Sequence, residues 1–218
     1  LLGTTSSSLP AYAYCPIIVV PYTDDDGNLM HLNNTITKVA VGADESKWGV
    51  KALQIAADFA ASWNAELEVI SAVPEVKGVS SDDSVYDSYM DDLKTRVAPL
   101  QEKHPDLSVN CRIVPGSAVH TLTEASYSHD VVVVGSRGRG GFTGLLLGSI
   151  SQGLLQHAVS PVYVVPRKYV EAAESRLDTV PGSPADVKPK PLDDISGVEE
   201  APVSTASSEV VTEIEKTI

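Results

Sequence analysis

Cysteine, long apolar runs and positive charge are all scarce in this chain of 218 residues, and each scarcity excludes a class of protein. Cys15 and Cys111 are the two cysteines, and because they form no CxxC pair the sequence suggests no disulfide framework. No apolar stretch approaches the ~20 residues that a membrane-spanning helix requires. The basic n-region of a signal peptide is also missing, so we expect a protein of the reducing cytoplasm.

Basic residues are outnumbered, since 16 Lys and Arg stand against 29 Asp and Glu and leave a formal net charge of −13. The acidic excess extends over the whole chain. Because nucleic acids and anionic membranes attract positive surfaces, this balance argues against both as partners. The 5 histidines show no metal-ligand spacing, so we predict no metal site built from protein ligands alone.

An internal repeat connects the start of the chain with a segment near residue 150. Residues 1–21 read LLGTTSSSLPAYAYCPIIVVP and residues 146–166 read LLGSISQGLLQHAVSPVYVVP, and they align without a gap at an offset of 145. Ten of the 21 positions are identical, including the closing VVP. We interpret residues 1–21 as the last helix and strand of a preceding copy of the same domain, followed by a linker at 22–36.

Apolar runs alternate with helical patterns between residues 37 and 168, which we interpret as one complete domain. Strands are predicted at 37–42, 65–73, 108–114, 130–135 and 161–166, and helices at 46–63, 84–103, 117–126 and 149–158. The strand at 130–135 is too apolar to face water on either side, so we expect a mostly parallel sheet with helices on both faces. Residues 169–218 are rich in acids, Ser, Thr and Pro, and predict an acidic disordered tail.

A glycine-rich loop follows the fourth predicted strand of this domain and is the densest glycine cluster in the chain. Its glycines are Gly135, Gly138, Gly140, Gly141, Gly144 and Gly148. The loop leads into a helix at Ser149, whose free N–H groups and positive dipole end favour a phosphate. The P-loop pattern and the dinucleotide pattern GxGxxG both fail here. The pattern that fits is G-x2-G-x9-G-[ST], with its last two residues at Gly148 and Ser149.

That pattern resembles the ATP-binding motif of the universal stress protein family, as do the stretches VAVGADES, DVVVVGSRGRGG and HAVSPVYVVP. The resemblance implies a Rossmann-like α/β fold with a five-stranded sheet in the order 3-2-1-4-5. It also implies a non-catalytic regulator of stress responses that binds ATP, with Mg²⁺ bridging phosphate oxygens near Ser149. Family members pair the last strands of two domains antiparallel, so we expect Pro16–Val20 to pair with Pro161–Val165 in one chain or in a dimer.

The resemblance also assigns the nucleotide-binding residues, from the base to the phosphates. It places Asp44 beside the nucleotide, the backbone of Ala72 at the adenine, and Val134 and Gly135 beside the ribose. The phosphates fall to Gly138, Gly148, Ser149 and Ile150, and the position of Arg137 and Ser151 in and after the loop adds these two as candidates.

Simpler interpretations remain open for several of these residues and for the function. Asp44 could serve only as an acid at a helix start, Arg137 as a solvated loop charge, and Ser151 as a hydrogen-bonding partner of the helix start. A nucleotide-cleaving enzyme of the same α/β group is the first alternative function, but the phosphate loops HxGH and SGGxDS are absent. A dimerisation module that has lost its ligand is the second, and the intact glycine pattern speaks against it.

Overall fold

The computed structural model describes residues 4–21, 35–75, 84–139 and 147–178. These residues form the strands β1 (Ile17–Val19), β2 (Lys38–Gly42), β3 (Glu66–Val73), β4 (Val109–Pro115), β5 (Val131–Gly135) and β6 (Val162–Val165). They also form the helices α1 (Thr4–Tyr12), α2 (Lys47–Trp63), α3 (Asp87–Lys103), α4 (Ala118–Ala125), α5 (Ser149–His157) and α6 (Arg167–Asp178). Each element predicted between residues 37 and 166 is present within a residue of its expected bounds, except that the first turn before α3 is a 3-10 helix at Ser84–Tyr86.

The sheet of the described residues has the strand order β1-β6-β5-β2-β3-β4. The four contacts among β2, β3, β4, β5 and β6 are all parallel. Counted from β2 as the first strand of the domain, their order is the predicted 3-2-1-4-5, and the Rossmann-like fold is confirmed. The sheet has one strand more than the predicted five, because β1 joins it at the β6 edge.

Both faces of the sheet are covered by helices, as β5 illustrates. Val131 and Val133 belong to an apolar cluster formed with α2, α3 and α6, whereas Val132 and Val134 belong to a second cluster formed with α1, α4 and α5. All four valines are at most 3% exposed. A strand whose alternate side chains enter two separate cores must be apolar at every position, which accounts for the run of valines.

Strand β1 pairs antiparallel with β6 within the same chain. Ile18 lies opposite Tyr163, with Ile17 opposite Val164 and Val19 opposite Val162 on either side. The predicted pairing of these two segments is therefore observed. Residues 22–34, which form most of the predicted linker, lie outside the described residues.

Helix α6 corrects the predicted start of the disordered tail. Its Val170 is 4% exposed and packs in the cluster that contains Ala52 and Ala56 of α2. The Arg167 N–H at its first residue donates to Ser136 Oγ at 2.8 Å. The prediction of disorder was wrong for 169–178, because contacts distant in sequence hold a segment whose own composition is polar. The rest of the predicted tail, 179–218, lies outside the described residues, and in the described part no helix is long and apolar enough to cross a membrane.

Candidate functional site

A cavity of about 390 Å³ opens at the carboxyl ends of β2, β3 and β5. Its volume falls within the range of about 300–1,000 Å³ that is typical of small-molecule sites. The cavity is lined by all ten residues predicted for the site: Asp44, Ala72, Val134, Gly135, Arg137, Gly138, Gly148, Ser149, Ile150 and Ser151. Residues spread over positions 44–151 of the sequence therefore meet in one place.

The topology of the sheet explains why the cavity forms here. The neighbouring strands β2 and β5 are followed by helices on opposite faces, since α2 packs in one apolar cluster and α5 in the other. Diverging connections leave a crevice beyond the carboxyl ends of the two strands, which is where ligands bind in open α/β sheets.

Helix α5 begins at this crevice without a side-chain cap. Its N-cap residue is Gly148, whose N–H donates to the Ser136 carbonyl at 2.8 Å. In contrast, Ser46 Oγ accepts from a backbone N–H at the start of α2, and Ser117 Oγ does the same for α4. Because the first N–H groups of a helix have no partner within the helix, α5 presents donors and the positive end of its dipole to the cavity.

Asp44 is held between the start of α2 and the glycine loop. Its Oδ1 accepts from the N–H of Ser46 at 3.0 Å and from the Ser46 hydroxyl at 2.6 Å, while its Oδ2 accepts from the N–H of Arg139 at 3.0 Å. A Cβ at Gly138 would lie 2.5 Å from Oδ2, and one at Gly49 would also collide with this carboxylate. The close approach of Asp44 therefore requires glycine at both positions.

A hydrogen bond between Ser151 and Gly135 connects the start of α5 to the end of β5. The Ser151 side chain is buried, with the residue 1% exposed, and its hydroxyl donates to the Gly135 carbonyl at 2.8 Å. A Cβ at Gly135 would lie 3.0 Å from the Arg137 carbonyl oxygen and 3.1 Å from the backbone of Trp48. The Ser151 hydroxyl thus donates to a strand carbonyl, a role that differs from both the contact with the helix start and the phosphate contact considered from the sequence.

Two arginines bring positive charge to the cavity of an acidic protein. Among the described lining residues, Arg137 and Arg139 are the bases and Asp44 is the acid. The guanidinium of Arg139 also pairs with Glu45, 3.4 Å away, at a site that is half exposed. With Glu45 counted, two bases and two acids balance at the cavity mouth, although the whole chain carries a charge of −13.

The apolar wall of the cavity was missed by the sequence prediction. It includes Ile70 of β3, Ala118 and Leu122 of α4, Gly42 at the end of β2, and Leu147. Ala118 and Leu122 are four residues apart and so share one face of α4. That spacing was visible in the sequence, but only the strand order shows that the face is directed at the cavity.

No three His, Cys, Asp or Glu side chains come together as a metal site anywhere in the described ranges. Cys15 and Cys111 are both free thiols.

Comparison with known proteins identifies the family. Residues 35–166 match the family model described as the Universal stress protein family. This chain belongs to the universal stress protein family. It is 34% identical over 169 residues to a universal stress protein of Mycolicibacterium smegmatis, an alignment that covers 76% of this chain and 56% of the relative. It is 36% identical over 168 residues to one of Mycobacterium tuberculosis, with 75% and 56% covered.

A solved structure agrees with this assignment at the level of the fold. The crystal structure of a universal stress protein from Archaeoglobus fulgidus aligns with a TM-score of 0.51 at 22% identity, covering 74% of this chain and 53% of that one. The chain spans about half the length of the curated relatives it matches.

Proposed function

We propose that this universal stress protein domain binds an adenine nucleotide, ATP with Mg²⁺, and acts in the cytoplasm as a regulator of stress responses without turning the nucleotide over. One observation carries the proposal: helix α5, capped only by Gly148, opens into a cavity whose glycines have the spacing of the family's ATP-binding motif. The two free cysteines support the cytoplasmic location.

The phosphate end of the nucleotide belongs at the start of α5. Backbone N–H groups there suit phosphate oxygens, and Ser149 adds a hydroxyl from the first turn. Arg137, which lines the same part of the cavity, adds positive charge. These donors are backbone groups, one serine hydroxyl and one arginine, so the site favours polyphosphate binding over proton transfer, and this supports a binding function.

The base end belongs at the apolar wall. Ile70, Leu122 and Val134 offer a surface on which a flat adenine ring can pack, and Ala72 at the end of β3 leaves room for it. The exocyclic amine and ring nitrogens of adenine would then meet the backbone near Ala72, as the family resemblance implies.

The donor set fits Mg²⁺ only together with phosphate. Mg²⁺ typically takes one or two carboxylates, several waters and substrate phosphate oxygens. Asp44 supplies one carboxylate and Ser149 one hydroxyl in the described lining. Asp44, already oriented by Ser46 and Arg139, and Ser149 would hold the ion, which would offset the negative charge of the phosphates.

Calorimetry on a matched pair of variants tests the site. Gly148→Ala places a Cβ 3.4 Å from the nearest described atoms outside its two chain neighbours, and the N-cap has an ordinary φ of −69°, so we expect the variant to fold normally. We expect its ATP affinity to fall at least ~10-fold, a loss of about 1.4 kcal/mol. Gly3→Ala, at the equivalent position of the repeat, should leave the affinity unchanged.

Wild-type protein that binds no ATP would overturn the proposal, and unchanged affinity in Gly148→Ala would remove the site from this loop. Mass spectrometry of nucleotides that co-purify with the wild type identifies the preferred ligand. Repeating the titration with excess chelator tests the metal, and equal affinities with and without it would eliminate Mg²⁺.

We further propose that residues 1–21 are the end of a tandem domain and act as the pairing partner of β6. The register supports this, because the offset of 145 makes Tyr163 the repeat equivalent of Ile18, and these two residues face each other. On either side Ile17 faces Val164, while Val19, the equivalent of Val164, faces Val162, the equivalent of Ile17. Exchange of equivalent residues across a central pair is the property of an isologous two-fold contact.

A further inference from the structure

Ser136 ties three elements together beside the glycine loop. Its N–H donates to the Val165 carbonyl, its carbonyl accepts from the Gly148 N–H, and its hydroxyl oxygen accepts from the Arg167 N–H, each at 2.8 Å. Ser136 is 1% exposed and does not line the cavity. It therefore cannot touch a ligand, yet it fixes the end of β6, the N-cap of α5 and the first residue of α6.

Helix α6 in turn contacts the N-terminal segment. Lys168 Nζ lies 5.4 Å from the ring centroid of Tyr12 and 5.1 Å from that of Tyr14. Tyr12 ends α1, and Tyr14 lies between α1 and β1. On its other side α6 is anchored by Val170 in the core beneath α2. The match to the family model ends at residue 166, so α6 lies beyond the matched residues.

These contacts form an unbroken connection from the cavity to the paired strands. We propose that Ser136 and α6 couple the two, so that occupancy of the cavity and docking of the N-terminal segment strengthen each other. The coupling rests on the proposed nucleotide site. A ligand bound at Gly148 and Ser149 restrains Ser136, which is hydrogen-bonded to both Gly148 and Arg167, and this favours docking of the N-terminal segment. By linkage, the docked segment must strengthen ligand binding by the same factor.

Helix α5 offers a second contact between the two regions. Ala11 of α1 packs in the same apolar cluster as Leu154 and Leu155. A test of α6 must therefore break the hydrogen bond between Ser136 and Arg167 and leave α5 intact.

Arg167 allows that bond to be removed from the side of the helix. Arg167→Pro deletes the donor N–H, and proline is well tolerated at the first position of a helix. Arg167→Ala is the matched control, because it keeps the N–H and loses only the exposed ion pair with Glu171, 3.8 Å away. Ser136→Ala deletes the acceptor without altering the cavity lining.

We expect ATP affinity, measured by calorimetry on the full chain, to fall roughly 5-fold in Arg167→Pro and in Ser136→Ala. The double variant should be no weaker than either single one, since both remove the same bond, and Arg167→Ala should match the wild type. Equal affinity in the wild type and all variants would overturn the coupling while the nucleotide site stands.

Hydrogen exchange supplies a readout that a purely structural role of Ser136 would not move. Saturating ATP should slow amide exchange in residues 12–19 of the wild type, and Lys168→Ala should weaken that protection at residues 12–14, which Lys168 contacts from outside the cavity. ATP that binds without protecting this segment would refute the coupling alone. If the wild type fails to bind ATP, the coupling and the proposed function both fall.

Discussion

The two copies of the repeat form the same local structure but are buried to very different extents. Helix α1 spans Thr4–Tyr12 and α5 spans Ser149–His157, so their bounds are related by the same offset of 145 as the sequences. Leu9 is nevertheless 47% exposed, whereas its equivalent Leu154 is 0% exposed. Local sequence sets the helix and the strand in both copies, and the neighbours of each copy set its burial.

The neighbours also decide which copy has a cavity. In the sheet formed by the described residues, strand β6 lies between β5 and β1, while β1 is the strand at the edge. The glycine Gly148 has Gly135, Gly138 and Asp44 beside it in the crevice, and these lie upstream of the repeated segment. Among the described residues, the cavity is lined at the start of α5 and not at the start of α1.

Removing the first copy gives the largest expected effect. A variant without residues 1–21 leaves β6 with unpaired backbone groups and exposes Tyr163 and its apolar neighbours at a sheet edge. We expect this variant to associate with itself through β6, in the register already seen between the copies. Light scattering measures the change in mass, and a variant that stays in the wild-type state and melts unchanged would show that the first copy does not cap the edge.

Alanine substitutions at the equivalent leucines of the two copies should differ in their effect on stability. Leu154→Ala creates a cavity in the core between α4, α5 and the sheet and should lower the free energy of unfolding by about 2–5 kcal/mol. Leu9→Ala removes a side chain that is half exposed and should change it by less than about 0.5 kcal/mol. Urea denaturation of the two variants measures both values, and similar losses would mean that the two helices are equally buried.

The sequences of the two copies also diverge after their shared VVP. In the second copy the segment that follows is α6, so a chain ending at residue 168 loses the buried Val170 and should be destabilised by about 1.5–3 kcal/mol. A chain ending at 178 is the control and should melt like the full chain. Thermal unfolding compares the two, and equal melting temperatures would show that α6 contributes no stability.

Substitutions at the facing residues Ile18 and Tyr163 should have the smallest effect on stability. Burial raises the pKa of Tyr163, and Tyr169 and Cys15 raise it further. The neutral hydroxyl therefore contributes stability that is complete below the ordinary tyrosine pKa of about 10 and is lost as the pH rises above it. We expect Tyr163→Phe, which keeps the ring contact with Phe59, to match the wild type at pH 7 and to lose less stability under alkaline conditions.

Ile18→Thr changes the partner at the same central pair and introduces no titrating group. Its stability difference from the wild type should be under about 0.5 kcal/mol and independent of pH. Urea denaturation at neutral and alkaline pH checks both variants. A pH-dependent difference in Ile18→Thr, or none in Tyr163→Phe, would contradict the assignment of the pKa shift to burial of the hydroxyl.

Much of the fold was predictable because the signals were local or repeated. Four consecutive valines predicted β5 as a doubly buried strand, and the repeat predicted the pairing of β1 with β6, both of which the structure contains. Helix α6 was not predictable in this way. Its sequence is polar apart from a few residues, and its anchor at Ser136 lies 31 positions away.

The candidate site likewise combines features that local sequence predicted with features that depend on long-range contacts. The glycine spacing predicted the loop and the start of α5, since backbone geometry there depends on which residues lack a Cβ. The apolar wall from α4 and the contacts of Asp44 with Arg139 depend on strand order and on the path of the loop. Such long-range contacts leave no periodic pattern in the sequence.

The contact of Trp48 with Gly135 has a practical consequence for spectroscopy. The backbone of Trp48 lies against the first glycine of the loop, and its indole N–H is buried. The chain has 2 tryptophans, and Trp63, at the other end of α2, is 46% exposed. In a Trp63→Phe protein Trp48 would be the single tryptophan, so the native sequence already contains a fluorophore whose emission wavelength and lifetime report on its surroundings at Gly135.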